Sequence, residues 1–253
     1  MILAAATLFE RELLRFYRDR GRVIGAFLPP VLFWLLLGSG LGSSFRLPGT
    51  AGPVGFLQFF FAGTLMLIVL FTSVFATISI IEDRKEGFLQ AVLVSPSSRL
   101  AVVLGKVAGA SAVGFLQGLA FLLFVRQAGF SPSLSGWLVA ALALLLSSVG
   151  LTSLGFAIAW KSSSTQAFHA VMNLFLLPLW MLSGAVFPIQ TAPPWLRLVM
   201  RINPVSYGIA AIQESLAPAQ GIAGLPHLGA SLAILTLMSA ALAAFAALIA
   251  SRE

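Results

Sequence analysis

Long stretches without a charged residue constrain this chain more than any other feature of its sequence. A helix needs about 20 apolar residues to cross the hydrocarbon of a bilayer. Backbone groups in lipid must also hydrogen-bond within their own segment, which favours helices. The charge-free stretches are 23–45, 47–81, 107–125, 127–160, 162–196 and 215–251. We therefore predict an all-α polytopic membrane protein with six transmembrane helices near 23–42, 56–80, 102–125, 134–159, 166–188 and 228–250.

Composition excludes several other classes of protein. The chain is 59% hydrophobic and 9% charged, whereas soluble domains carry about 25% charged residues. Cysteine is absent, which excludes a disulfide framework, a thiolate metal site and a cysteine nucleophile. The net charge of +7 is spread between apolar runs, so we expect no nucleic-acid partner.

Basic residues predict the orientation of the six spans. Eleven lie on one side of the predicted membrane and four, Arg46, Arg126, Arg197 and Arg201, lie on the other. Lys and Arg are enriched in cytoplasmic loops. We expect a multi-pass protein of the cell inner (plasma) membrane with both termini in the cytoplasm. The loop after the first span is marked by four breakers, Pro48, Gly49, Gly52 and Pro53.

The first 22 residues form a separate amphipathic element. Phe9, Leu13 and Phe16 recur at helical spacing, and an adjacent stripe carries Arg11, Arg15, Arg18 and Arg22. This pattern predicts an interfacial helix over 1–22 whose basic face contacts anionic lipid headgroups. The alternative is an ordinary solvated helix.

A charged island separates the second and third spans. Five consecutive charged residues, 82–86, cannot lie in hydrocarbon. We predict a short cytoplasmic helix over 82–95 that docks to a soluble partner, and Pro96 would end it. The alternative is a solvated loop. The candidate docking residues are Glu82, Asp83, Arg84, Lys85, Glu86, Gly87 and Phe88.

Residues 189–216 are apolar but interrupted by proline. Pro193, Pro194 and Pro204 prevent one long helix. We predict two short re-entrant helices at the outer surface, with Trp195 and Tyr207 as interface residues. The alternative is a simple surface helix.

Chemistry-bearing residues are scarce in the spans. His169 and His227 lack a neighbouring acid or second ligand, so we predict no catalytic residue and no metal site. Four uncharged polar residues, Ser73, Thr77, Gln117 and Asn173, are candidates for lining a substrate path. Hydrogen bonding between helices is the favoured alternative for each one. Glycines four apart, such as Gly105 and Gly109, favour close helix packing within the bundle.

Two segments, in this order, resemble the type-2 ABC exporter permease family. Residues 83–96, DRKEGFLQAVLVSP, are similar to that family's first cytoplasmic loop. Residues 177–188, LPLWMLSGAVFP, continue through Pro194-Trp195-Leu196 to 203–207, NPVSY, and are similar to its fifth span and outer re-entrant segment. Many members have an acid where Lys85 stands, and often one where Gln90 stands, so the charge of the docking surface differs here.

The resemblance implies a single ABC-2 type transmembrane domain over 1–253. It implies a permease subunit of an exporter for a drug, lipid or glycan, paired with a second permease as a homodimer or heterodimer. Two copies of an ATP-binding subunit would bind ATP and Mg²⁺, since this chain lacks the GxxxxGK[ST] pattern and would bind no cofactor itself. The segment 82–95 would be the coupling helix.

Two other functions remain open from the sequence. A membrane anchoring or assembly factor would have the same spans without an ATPase partner. An ion-coupled carrier would need ionisable groups in midmembrane, and their scarcity disfavours it.

Overall fold

The computed structural model describes residues 2–41, 54–94, 99–218 and 225–252, and every regular element in these ranges is helical. The predicted breakers at 48–53 and the predicted helix end at Pro96 lie outside them. The helices are α1 (Ile2–Arg18), α2 (Arg20–Leu41), α3 (Phe56–Ala76), α4 (Ile78–Lys85), α5 (Phe88–Val94), α6 (Arg99–Leu122), α7 (Leu134–Lys161), α8 (Thr165–Trp180), α9 (Pro194–Ile202), α10 (Pro204–Leu216) and α11 (Leu228–Arg252).

Six segments of the described chain are long and apolar enough to span a membrane, which confirms the all-α, six-span prediction. They are Arg20–Leu41, Phe56–Lys85, Arg99–Val125, Leu134–Lys161, Thr165–Ala185 and Leu228–Ser251. The second contains both α3 and α4, which meet at Thr77.

Helix α3 forms the centre of the bundle. It packs against α2, α6 and α7, and almost all of its side chains are buried. Trp34 of α2 donates a hydrogen bond to the Leu57 carbonyl at 2.8 Å and meets the Phe61 ring edge to face at 5.6 Å. Since lipid is as apolar as these side chains, close packing and such bonds hold the helices together.

The outer helices α2, α8 and α11 leave many apolar side chains uncovered. Leu28, Phe33 and Leu36 of α2 and Leu174 and Phe175 of α8 are among the exposed large hydrophobic residues. An apolar surface of this extent is expected where lipid or another membrane protein covers it.

The N-terminal segment differs from the single element predicted over 1–22. Helix α1 ends at Arg18 and α2 begins at Arg20. Asp19 lies between them, and its carboxylate accepts a hydrogen bond from the Arg22 amide at 3.1 Å, as an N-cap does. Helix α1 packs along α6.

The segment after α8 contains two short helices, α9 and α10, joined at Asn203 and Pro204. Pro204 occupies the first position of α10, where its missing N–H costs nothing. Trp195 is exposed. Tyr207 is buried and donates to the Arg201 carbonyl at 2.5 Å, so its prediction as an interface residue was wrong.

Candidate functional site

The charged island forms a bend at one end of the bundle, which we call the charged end. Helix α4 follows α3 within one long apolar span that ends at Lys85, and the chain then turns through Glu86 and Gly87 into α5. Gly87 has a φ of +77°, which favours glycine over side-chain-bearing residues. The single helix predicted over 82–95 is therefore two helices, because left-handed backbone at Gly87 interrupts it.

Asp83 is fully buried at the charged end. Arg11 donates to both of its carboxylate oxygens at 2.7 Å, and Arg15 donates to Oδ1 at 2.7 Å. Lys106 contacts Oδ2 from the other side. Charge-assisted and bidentate bonds of this kind are the strong ones. The bond to Asp83 raises the pKa of Arg11 above its usual value, so this guanidinium stays charged.

A second buried carboxylate shares Lys106 with Asp83. Glu12 of α1 is 4% exposed, and Lys106 of α6 is 2% exposed. Lys106 Nζ donates to Glu12 Oε1 at 2.6 Å, while Ser79 Oγ donates to Glu12 Oε2 at 2.6 Å. We call Glu12, Asp83, Lys106 and Ser79 the buried ionic cluster. It joins α1, α4 and α6.

Glu82 lies at the rim of this cluster. It accepts from Arg22 of α2 at 2.9 Å and pairs with Arg15 of α1 at 2.9 Å. The prediction that the basic stripe of residues 1–22 faces lipid headgroups is wrong for Arg11, Arg15 and Arg22, because acidic residues of α4 pair with them. Arg18 is exposed.

Arg84 connects α4 to α7, the fourth span in chain order. Its guanidinium donates to the Trp160 carbonyl at 2.5 Å and to the Ser162 carbonyl at 3.1 Å. These carbonyls lie at the C-terminal end of α7, where helical acceptors have no partner within the helix and a cation is favoured. Asp83 and Arg84 thus connect the bend to α1, α6 and α7.

The outward surface of the bend is smaller than the predicted docking segment. Lys85 and Glu86 are exposed, and so are Gln90 and Ala91 of α5. Phe88 is partly buried beneath the Arg11 guanidinium, which lies 3.9 Å from its ring centre. The seven predicted residues adjoin one another, but Asp83 faces inward, and Glu82 and Arg84 bind other helices.

Two clefts lie beside the bend. One groove of about 720 Å³ runs between α1 and Glu86, and Leu14 and both acidic and basic side chains line it. A second cavity of about 500 Å³ has apolar walls that include Phe16 and Phe75, with Arg22, Glu82 and His169 also lining it.

The four candidate substrate-path residues do not share one environment. Ser73 and Ser148 hydrogen-bond across helices at 2.9 Å, and Thr72 donates to Gln117 at 2.5 Å. Thr77 donates to the Val74 carbonyl within its own chain segment at 2.6 Å. Asn173 is exposed on α8, whereas the other three are buried.

Sequence reasoning missed Glu12 and Lys106 as partners. A signal existed, because Lys106 falls inside the predicted third span, and ionisable residues there are rare and usually paired. Lys106 pairs with two carboxylates, and one of them, Glu12, lies 94 positions away in the chain, so no local pattern identifies it.

Comparisons with known proteins agree with this architecture. A model of the ABC-2 type transporter family matches residues 4–217. Nodulation protein J of Rhizobium leguminosarum bv. trifolii is 27% identical over 82% of this chain and 79% of the relative. The putative transport permease ycf38 of Cyanophora paradoxa is 28% identical over 81% of this chain and 71% of the relative.

A third relative is the probable multidrug ABC transporter permease YbhR of Escherichia coli (strain K12), 30% identical over 56% of this chain and 39% of the relative. The family model covers most of the chain and confirms the resemblance expected from the sequence. The chain therefore belongs to the ABC-2 type transporter family, as a multi-pass membrane subunit of an ABC transporter.

Proposed function

We propose that this chain is the permease of an exporter that moves a drug-, lipid- or glycan-class substrate out of the cytoplasm across the inner (plasma) membrane. A separate ATP-binding subunit, in two copies, would hydrolyse ATP with Mg²⁺, and a second permease would complete the complex. The names of its relatives, which include a putative transport permease and a probable multidrug ABC transporter permease, support transport as the activity.

The charged end would face the cytoplasm in this proposal. Eleven of the 15 basic residues were placed on that side from the sequence, and cytoplasmic loops are enriched in Lys and Arg. The bend then lies where a soluble ATPase can reach it.

The observation that carries the proposal is the connection of the bend to three other helices. Lys85 and Glu86 are exposed, so an ATPase can contact them directly. Immediately before them, Asp83 binds α1 and α6, and Arg84 binds the end of α7. A displacement of the bend would therefore move three helices together. ATP binding would shift the permease between inward- and outward-facing arrangements.

The docking surface would combine the exposed residues of the bend with the neighbouring groove on α1. We assign direct ATPase contact to Lys85, Glu86 and Gly87, with Phe88 supporting the start of α5. The bend would be oriented from its inner side by three residues that bind other helices, Glu82, Asp83 and Arg84. This division follows their burial and partners.

The test is purification of the chain from its native membrane, followed by mass spectrometry of stoichiometric partners. We expect a P-loop ATPase at one copy per permease. The double variant Lys85→Glu, Glu86→Lys should lose it while inserting normally, because the exposed charges are reversed. Arg20→Glu, at an exposed arginine of α2, is the control for reversal of an exposed charge and should retain the ATPase.

Deleting Glu86–Phe88 should leave membrane insertion intact but uncouple ATP hydrolysis from export. Normal export by that deletion would refute the docking assignment. A clean complex without an ATPase would instead favour the second candidate, a membrane anchoring or assembly factor without transport activity.

A further inference from the structure

Lys106 is the most deeply buried of the cations that contact acidic groups at the charged end. Its side chain is 2% exposed, against 30% for Arg11 and 24% for Arg15. Burying an ammonium group is costly unless it is paired and hydrogen-bonded. Lys106 meets that condition with two carboxylates, Glu12 and Asp83, and both are also buried.

Close packing between α1 and α6 makes this arrangement possible. A Cβ atom at Gly105 would lie 2.7 Å from the Leu8 Cβ, and one at Gly109 would lie 2.7 Å from the Glu12 Cβ. The two glycines flank Lys106 by one residue and by three. They allow α1 to approach α6 closely, so the carboxylate of Glu12 reaches the ammonium group.

The cations at the charged end pair differently with the two buried carboxylates. Arg11 and Arg15 both bind Asp83 and could neutralise it without Lys106. Glu12 has Lys106 as its close cation, since Arg11 is 3.9 Å from it. Lys106 is therefore the cation that joins Glu12 of α1 to Asp83 of α4 while itself belonging to α6.

We infer that Lys106 is a positioning residue that holds α1 and the bend in a defined orientation on α6, so that movement of the bend is transmitted to the membrane helices. The positioning role concerns this chain alone. The transmission of ATPase movement rests on the proposed function above.

The test compares three full-length proteins purified in native membrane lipid: the natural protein, Lys106→Met, and Lys106→Met combined with Glu12→Gln. The double variant has no uncompensated buried charge, because Asp83 keeps its two arginines. It should therefore recover the yield of monodisperse protein that Lys106→Met loses. Arg20→Met, at an exposed arginine of α2, is the control for loss of a cation.

The readout is the distance between α5 and α6. A lysine that only stabilised the fold would not set this distance. The chain has no cysteine, so spin labels can be placed at Leu104→Cys on α6 and Ala91→Cys on α5, both exposed positions. We expect a narrow distance distribution in the natural protein and in the control. Both Lys106 variants should show a broad distribution and lose ATP-dependent changes in it when the copurified ATPase is present.

A natural distance distribution in the double variant would overturn the inference, because Lys106 would then only neutralise Glu12. If neither lysine variant is produced, Glu12→Asp keeps every charge but shortens one carboxylate. An unchanged distribution in that variant would overturn the inference equally. Absence of any copurifying ATPase would refute the proposed function alone, since the distance between α5 and α6 is measured on the permease itself.

Discussion

Asn203 holds together the segment that returns the chain from α8 to α10, and replacing it gives a sharp test of the fold. The side chain is 4% exposed. Its amide nitrogen donates to the Leu179 carbonyl at 2.6 Å and to the Leu182 carbonyl at 3.2 Å. Its oxygen accepts from the Val205 amide at 3.0 Å and caps α10.

The two donor bonds satisfy carbonyls where helical geometry breaks down after α8. Leu182 and Gly184 have non-helical backbone angles, and Gly184 has a φ of +88°. Loss of an N-cap costs about 1 kcal/mol. Leaving a buried acceptor without its partner costs about 1–3 kcal/mol. The hydrogen bonds to both carbonyls are only part-buried, so we take the low end of this range for each and expect Asn203→Ala to lower the free energy of unfolding by roughly 3 kcal/mol.

A second variant separates the two contributions. Asn203→Asp keeps an oxygen that caps α10 but replaces the donor with an acceptor that faces two carbonyls. We expect a loss of roughly 2 kcal/mol, all of it from the Leu179 and Leu182 side. Asn173→Ala, at an exposed asparagine of α8, is the matched control and should change stability by less than about 0.5 kcal/mol.

Equilibrium unfolding in mixed micelles, followed by tryptophan fluorescence, measures these differences. A loss of roughly 3 kcal/mol corresponds to a change of about a hundredfold in the unfolding equilibrium constant. An Asn203→Ala protein as stable as the Asn173→Ala control would refute the reasoning. An Asn203→Asp protein as stable as the natural one would show that the amide donors contribute nothing.

Two further predictions concern α1. Gly109→Ala in α6 should lower the free energy of unfolding by about 1–3 kcal/mol, because the new methyl group would lie 2.7 Å from the Glu12 Cβ of α1. Ala108→Leu, at an exposed position of the same helix, should have little effect in the same unfolding assay. A larger loss for Ala108→Leu than for Gly109→Ala would contradict the packing of α1 on α6. Partial burial raises the pKa of Tyr17 above its usual value near 10, which favours the neutral phenol in the folded protein. The stability from that preference is present below pH ~10 and is lost as the pH rises through the folded value. Ultraviolet titration of tyrosinate, with Tyr17→Phe as the reference, checks the shift, and a Tyr17 that ionises below pH ~10 in the folded protein would contradict it.

The helical class and the number of spans follow from the sequence because their cause is local. A run of about 20 residues without charge can satisfy its backbone in lipid only as a helix, whatever the rest of the chain does. The same holds for the break before α10, since Pro204 cannot continue a preceding helix. The family was also recognisable, because its landmarks are short and occur in a set order.

The pairing of charges could not be predicted in this way. The arginine stripe of α1 has the pattern of a lipid-facing surface, yet Arg11 and Arg15 bind Asp83, 72 and 68 positions further along the chain. Tyr207 is of a residue type that is enriched at membrane interfaces, but it is buried and bonds to its own segment. In both cases a residue far away in the chain, or the fold of a short segment, determines the partner.

The sequence by itself determined that this protein is an all-α membrane bundle of the ABC-2 type with a charged island between its second and third spans. Only the tertiary structure decided which charges of that bend face outward and which join α1, α6 and α7. The physical reason is distance along the chain. Hydropathy acts within one segment, whereas the buried ionic cluster requires α1 to lie close against the glycines of α6.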